Sequence, residues 1–211
     1  MQTLESLNKR YALPKHLSFR QDASGLIVAD IANEYAVASV ALQGGHVMSF
    51  QPLGQEPVIW LSPLAKLAPG KSIRGGVPIC WPWFGPHATD AAKPGHGHAR
   101  TVPWEVLEAT AFVDGSTHLR LGLIESDATR AFWPHATPVQ VLISVGRELR
   151  VELLTRNDGS ETVQLGEALH TYLHISDIDN LAIRGLDGGV YLDKVDGFAQ
   201  KTQHGDVAIA G

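Results

Sequence analysis

Residues 139–155 read VQVLISVGRELRVELLT, two strand candidates, Val139–Val145 and Glu148–Thr155, joined through Gly146 and Arg147. A Val/Ile/Leu-rich run that stops at a glycine-containing connection and resumes at once reads as an antiparallel hairpin. The same unit stands just before it, where Trp104–Val113 and His118–Ile124 flank Asp114-Gly115, a dipeptide suited to a tight turn. Further upstream, Leu26–Ala29, Tyr35–Leu42, His46–Gln51 and Val58–Leu61 are strand candidates, with Gly44-Gly45 interrupting the pattern. Downstream, Asn157-Asp158-Gly159 makes a turn before Val163–Ile175, and the stretch around Gly188-Gly189 separates Ile178–Arg184 from Val190–Val195. Helical periodicity is confined to Leu4–Arg10. Many short strands with turn signals at close intervals predict an all-β sandwich or barrel.

The 211 residues are 44% hydrophobic and 18% charged. All-β domains of about 200 to 250 residues are ordinary, so a single domain over residues 1–211 is expected. A formal net charge of −5 with no long basic run argues against a nucleic-acid partner, and an anionic ligand must then be held by local arginines. Cys80 is the sole cysteine, which rules out an internal disulfide. The N-terminal residues lack the apolar core of a signal peptide, and no apolar run approaches the ~20 residues that span a bilayer. A cytoplasmic protein without membrane association is the expectation.

One segment follows no hydrophobic period. Residues 73–100 read IRGGVPICWPWFGPHATDAAKPGHGHAR, where Gly75 and Gly76 permit positive φ or close backbone approach beside Arg74, and Pro78 and Pro82 lack the N–H that an interior strand needs. If Gly95–Arg100 is extended, His96, His98 and Arg100 share one face. A second chemical stretch is EALHTYLH at 167–174. Extended, it puts Leu165, Leu169, Leu173 and Ile175 on an apolar face and Ala168, His170, Tyr172 and His174 on the other. His170 thus points away from the core, where an imidazole can move protons near neutral pH.

IRGGVPICWPWFGP, then HGHAR at 96–100, FWPH at 132–135 and ALHTY at 168–172 resemble, in order and spacing, the hexose-6-phosphate mutarotase (glucose-6-phosphate 1-epimerase) family of the aldose 1-epimerase superfamily. The resemblance implies a large antiparallel β-sandwich of galactose mutarotase-like type, with the sugar in a cleft on one sheet. It implies interconversion of the α and β anomers of a hexose 6-phosphate with neither cofactor nor metal. By motif position, Arg74 and Arg100 resemble substrate-binding arginines and His170 the catalytic histidine. His96 is assigned to substrate binding, and Trp81 and Trp83 are candidates for an apolar wall against the sugar, with Trp83 taken as the binding residue.

In the family's scheme His170 is the acid and a glutamate the base, and that glutamate lies further along the chain than residue 211. The expectation is therefore a sandwich lacking its C-terminal strands, with self-association through an exposed sheet edge. Glu167 is a poor replacement, since its offset of three from His170 puts it on the opposite face. His98 occupies a position that is usually apolar in the family. Two other readings stand beside this one: a non-catalytic carbohydrate or phosphosugar binding module using the same arginines and aromatics, and a cupin-like metal site in which His96 and His98 are HxH ligands.

Overall fold

Strand formation in the computed structural model, which describes residues 2–209, follows the alternation of the sequence. Two units are distinguished, residues 1–173 and 174–211. The first opens with helix α1 (Leu4–Tyr11), whose N-terminus is closed by a capping box: the Thr3 hydroxyl accepts from Ser6 N and the Ser6 hydroxyl accepts from Thr3 N. Such a cap satisfies donors that the first turn leaves open. The helix buries Leu7 and Tyr11.

Strands β1 (Leu17–Gln21), β2 (Ile27–Ala32), β3 (Ala36–Ala41) and β4 (His46–Pro52) form one antiparallel meander in that order. After the short β5 (Ile79–Cys80), a second meander is built from β6 (Trp104–Ala111), β7 (Thr117–Leu123), β8 (Val139–Val145) and β9 (Leu149–Thr155). In β8 every second residue, Val139, Val141, Ile143 and Val145, is buried and those between are half-buried. These side chains join Ala29, Ile31, Ala38 and Val40 of the first meander in one core, which makes the pair of sheets a sandwich. Asn33 ties the two layers at one end, its side-chain amide donating to the Val145 carbonyl and the Thr117 hydroxyl.

The first meander is covered on its outer face as well. Val28, Ala41 and Met48 pack there with Leu26 and Ile73, and partly buried Leu61 and Leu67 close over them. Gln43 fastens this covering loop, its side-chain amide donating to the Ala68 and Lys71 carbonyls while its carbonyl accepts from Gly70 N. A sheet buried on both faces shows runs of adjacent apolar residues, as Val28-Ala29 does.

The expected strands at 104–113, 118–124, 139–145 and 148–155 form, as do those at 26–29, 35–42 and 46–51, with shifts of one to three residues at their ends. Several readings are corrected. Val163–Ile175 contains only the two-residue β10 (Ala168–Leu169), and Val58–Leu61 makes isolated bridges, Ile59 to Leu173 and Leu61 to Gly75, without becoming a strand. Strand β1 and helix α2 (Asp127–Phe132) were not foreseen; the helix forms because Ser126 and Thr129 cap it reciprocally.

In the second unit, β11 (Ala182–Ile183) pairs with β14 (Val207–Ala208), and β12 (Val190–Asp193) with β13 (Ala199–Thr202). Ile178–Asn180 is a single 3-10 turn, which shortens the strand expected at 178–184. Among the described residues, no helix is long and apolar enough to cross a membrane.

Candidate active site

Three extended segments meet where the two motif stretches lie. β10 pairs antiparallel with β5, placing Ala168 opposite Cys80 and Leu169 opposite Ile79. The register continues on either side: His170 N donates to the Pro78 carbonyl, and Gly166 N to that of Pro82. At the end near Arg74 the strands close a cycle of backbone hydrogen bonds. Tyr172 N donates to Gly76 O at 2.9 Å, Gly76 N to Trp60 O at 2.7 Å, and Trp60 N to Tyr172 O at 3.0 Å.

That cycle explains the double glycine. Gly75 and Gly76 have φ of +96° and +71°, and a Cβ on Gly76 would run into the His46 ring and the Val47 carbonyl, while one on Gly75 would meet the backbone of Trp60–Ser62. Only glycine takes this conformation in this space. His46 is fully buried, and its Nε2 lies 2.9 Å from the Gly75 carbonyl, so Nε2 carries the proton and donates. Burial, opposed by that carbonyl and reinforced by the Arg100 charge, pushes the His46 pKa down to about 4. Sequence reasoning passed over His46; its one signal is its place directly after Gly44-Gly45.

His170 is half-buried and stands in a row of rings. Tyr172 stacks on it with centroids 5.1 Å apart and planes at 27°, and Phe84 does so at 6.1 Å and 25°. His96 meets His170 edge-on at 6.0 Å and Phe84 edge-on at 4.9 Å. The loop that carries Phe84 and His96 is closed by two bonds: His96 N donates to the Gly85 carbonyl at 2.7 Å, and Gly85 N donates to His96 Nδ1 at 3.2 Å. The expected shared face of His170 and Tyr172 is thus present, and His96 is brought to it.

The extended reading of Gly95–Arg100 is overturned. His96 and Gly97 both have positive φ, of +66° and +72°, and Ala99–Thr101 is a 3-10 turn. His98 therefore parts from His96 and is buried among Trp81, Trp83 and Phe132. Burial pushes its pKa down to about 4, and its Nδ1 has no partner among the described residues. An imidazole held neutral between aromatic rings acts as an apolar ring would. The HxH pairing required for a cupin-like site is not formed by these two side chains.

Trp81 and Trp83 are 2% and 9% exposed. Trp81 Nε1 donates to the Thr155 hydroxyl and Trp83 Nε1 to the Pro94 carbonyl, so both indoles serve as packing and as ties for the loop. The exposed ring at the site is Phe84, which sequence reasoning missed although it lies in the same WPWFGP run.

Arg74 is exposed and Arg100 half-buried, with Arg100 Nη2 donating to the Gly95 carbonyl next to His96. Among the described residues neither arginine forms an ion pair, whereas Arg20, Arg120, Arg130, Arg150, Arg156 and Arg184 all do. A guanidinium without a carboxylate partner keeps its charge for an anion, and Arg100 retains donors beyond the one given to Gly95. Glu167 does not reach His170; its carboxylate accepts from the Thr155 hydroxyl at 3.3 Å. The Cys80 thiol is buried beneath the site, and burial raises its pKa against the pull of Arg100.

Residues 28–206 match the family model described as Aldose 1-epimerase. The chain belongs to the aldose 1-epimerase family. It is 41% identical over 196 residues to a Salmonella typhimurium protein named "Putative glucose-6-phosphate 1-epimerase", covering 90% of this chain and 64% of that one. To an Escherichia coli protein of the same name it is 40% identical over 174 residues, 82% of this chain and 56% of the relative. The crystal structure titled "a putative mutarotase (YeaD) from Salmonella typhimurium" superposes with a TM-score of 0.85 at 35% identity, over 94% of this chain and 65% of that one. This likeness bears out the antiparallel β-sandwich. The chain spans only 64% and 56% of the length of these two curated relatives.

Proposed function

We propose that this site binds a hexose 6-phosphate and interconverts its α and β anomers without a cofactor. The observation that carries the reading is His170, half-buried and in ring contact with Phe84, Tyr172 and His96; Arg74 and Arg100, from the same motif stretch, form no ion pair among the described residues. Membership of the aldose 1-epimerase family and the names of the curated relatives support the reaction and the phosphorylated substrate.

In this reading Arg74 and Arg100 take the phosphate oxygens through charge-assisted hydrogen bonds, each contributing roughly 1.5 to 3 kcal/mol. His170 gives its proton to the ring oxygen as the bond from that oxygen to C1 breaks, while a base removes the proton of the C1 hydroxyl. The C1 carbonyl then turns its other face to the C5 oxygen, and the two transfers reverse. His96, on the same loop as Phe84 and in ring contact with His170, lies against the sugar. The base, a glutamate in the family's scheme, is expected beyond residue 211; Glu167 is held at Thr155 instead.

A second reading, a phosphosugar-binding module without catalysis, is favoured by one observation: among the described residues, His170 makes no hydrogen bond or ion pair with a carboxylate. Exchange NMR on glucose 6-phosphate separates the two. Catalysed interconversion of the anomers that falls by about 10² to 10⁴ in His170→Ala, with binding retained, supports the epimerase. Equal exchange rates for the wild type and the variant would remove His170 from the mechanism.

A further inference from the structure

Phe84 is 54% exposed, yet nothing about it is loose. Its loop is held by the paired bonds between Gly85 and His96 and by Gly166 N on the Pro82 carbonyl. A large apolar ring fixed in water beside the reactive imidazole has no role in the core. The ring row shows what it faces. From Trp60 to Tyr172, His170 and Phe84, successive planes are tilted by 31°, 27° and 25°, with spacings of 6.0, 5.1 and 6.1 Å. Tyr172 has two ring neighbours in the row, Trp60 and His170, whereas Phe84 has His170 alone and stands at its exposed end. The His96 ring packs on Phe84 at a steep angle of 77°, and Phe84 remains more than half exposed.

We propose that Phe84 is the stacking platform for the apolar C–H face of the hexose, the substrate-positioning residue of this site. The inference rests on the reading of the site as one for a hexose 6-phosphate. A pyranose whose ring oxygen meets His170 is broad enough to extend over the neighbouring ring, and its C–H bonds carry the partial positive charge that the negative face of an arene attracts. The contact suits the reaction. Once the ring opens, C1 must turn about the C1–C2 bond while the rest of the sugar stays in register, and stacking on C–H groups remote from C1 holds it through that turn. Such a contact is indifferent to the phosphate, so Phe84 and the two arginines act on separate parts of the ligand.

The experiment is an NMR titration of the 211-residue chain with glucose 6-phosphate and, separately, with glucose, following the sugar C–H protons and the His170 imidazole. Phe84→Ala is expected to raise the dissociation constant by about threefold to tenfold for both sugars, the factor that an aromatic contact supplies. Phe84→Leu, which keeps apolar bulk, is expected to bind at intermediate strength but to abolish the upfield ring-current shift of the bound sugar's C–H protons. Arg74→Ala should weaken glucose 6-phosphate alone. Wild-type affinity of Phe84→Ala for both sugars, a loss confined to the phosphorylated one, or an undiminished ring-current shift in Phe84→Leu would each overturn the platform while the His170 response keeps the parent reading. A wild-type chain whose His170 signals do not respond to glucose 6-phosphate overturns both.

Discussion

Mild acid should destabilise this protein through two histidines that the fold holds neutral. His46 is fully buried and His98 is 2% exposed, and burial holds each pKa down to about 4. In the unfolded chain both revert to the ordinary value near 6.5, so below that pH the unfolded state binds protons that the native state refuses. The stability contributed by keeping these rings neutral is complete above pH 6.5 and is lost as pH falls from 6.5 towards 4. At 1.36 kcal/mol per pH unit for each proton, the loss between pH 7 and 5 is about 2 kcal/mol per histidine and about 4 kcal/mol for the pair. Urea unfolding at pH 7, 6 and 5 measures it, followed by the fluorescence of Trp81 and Trp83, whose rings lie 5.6 and 6.2 Å from His98. His98→Phe keeps a ring against Phe132 but cannot titrate, so its loss over the same range should fall by about 2 kcal/mol, half that of the wild type. A wild-type stability that is flat from pH 7 to 5, or an identical slope in the variant, would refute the reasoning.

Other changes test separate parts of the structure. Gly76→Ala drives a methyl group into His46 and the Val47 carbonyl at a φ of +71°; a loss of roughly 1 to 3 kcal/mol is expected in urea unfolding, from strain alone. Ile143→Ala empties a fully buried position in the shared core and should cost about 2 to 5 kcal/mol in the same assay. Replacing Arg74 or Arg100 by alanine should weaken glucose 6-phosphate by roughly 1.5 to 3 kcal/mol and leave glucose nearly unchanged in calorimetric titration; equal losses for both ligands would remove the phosphate role.

The hairpins were legible because their determinants are local. Asp114-Gly115 and Gly146-Arg147 punctuate Val/Ile/Leu-rich runs, of which β8 alternates in burial along its whole length, and β6 to β9 form where those signals stand. Strand β1 carries a weaker pattern, LSFRQ, with only Leu17 and Phe19 buried, and it pairs because β2 lies beside it. Helix α2, six residues long, depends on the reciprocal Ser126 and Thr129 cap more than on any hydrophobic period. Motif order brought Arg74, His96, Arg100 and His170 into view, and alternation over two residues was enough to put Tyr172 beside His170. Alternation failed at Gly95–Arg100, where two consecutive positive φ angles turn His98 into the core. Which aromatic ring of WPWFGP stays exposed was also beyond the sequence. Trp81 is held by Thr155 and Trp133 and Trp83 by Pro94, residues distant along the chain or across the loop, leaving Phe84 outside.

The central claim is that His170, His96, Arg74 and Arg100 form one hexose 6-phosphate site. Its most direct test is an NMR titration of the 211-residue chain with glucose 6-phosphate, with the imidazole signals of the histidines and the Nε–H signals of the arginines assigned. The account predicts saturable shifts at His170, His96, Arg74 and Arg100 that share one dissociation constant. Shifts confined to the paired arginines such as Arg20 and Arg156, or no shift at His170 at saturating sugar phosphate, would contradict it.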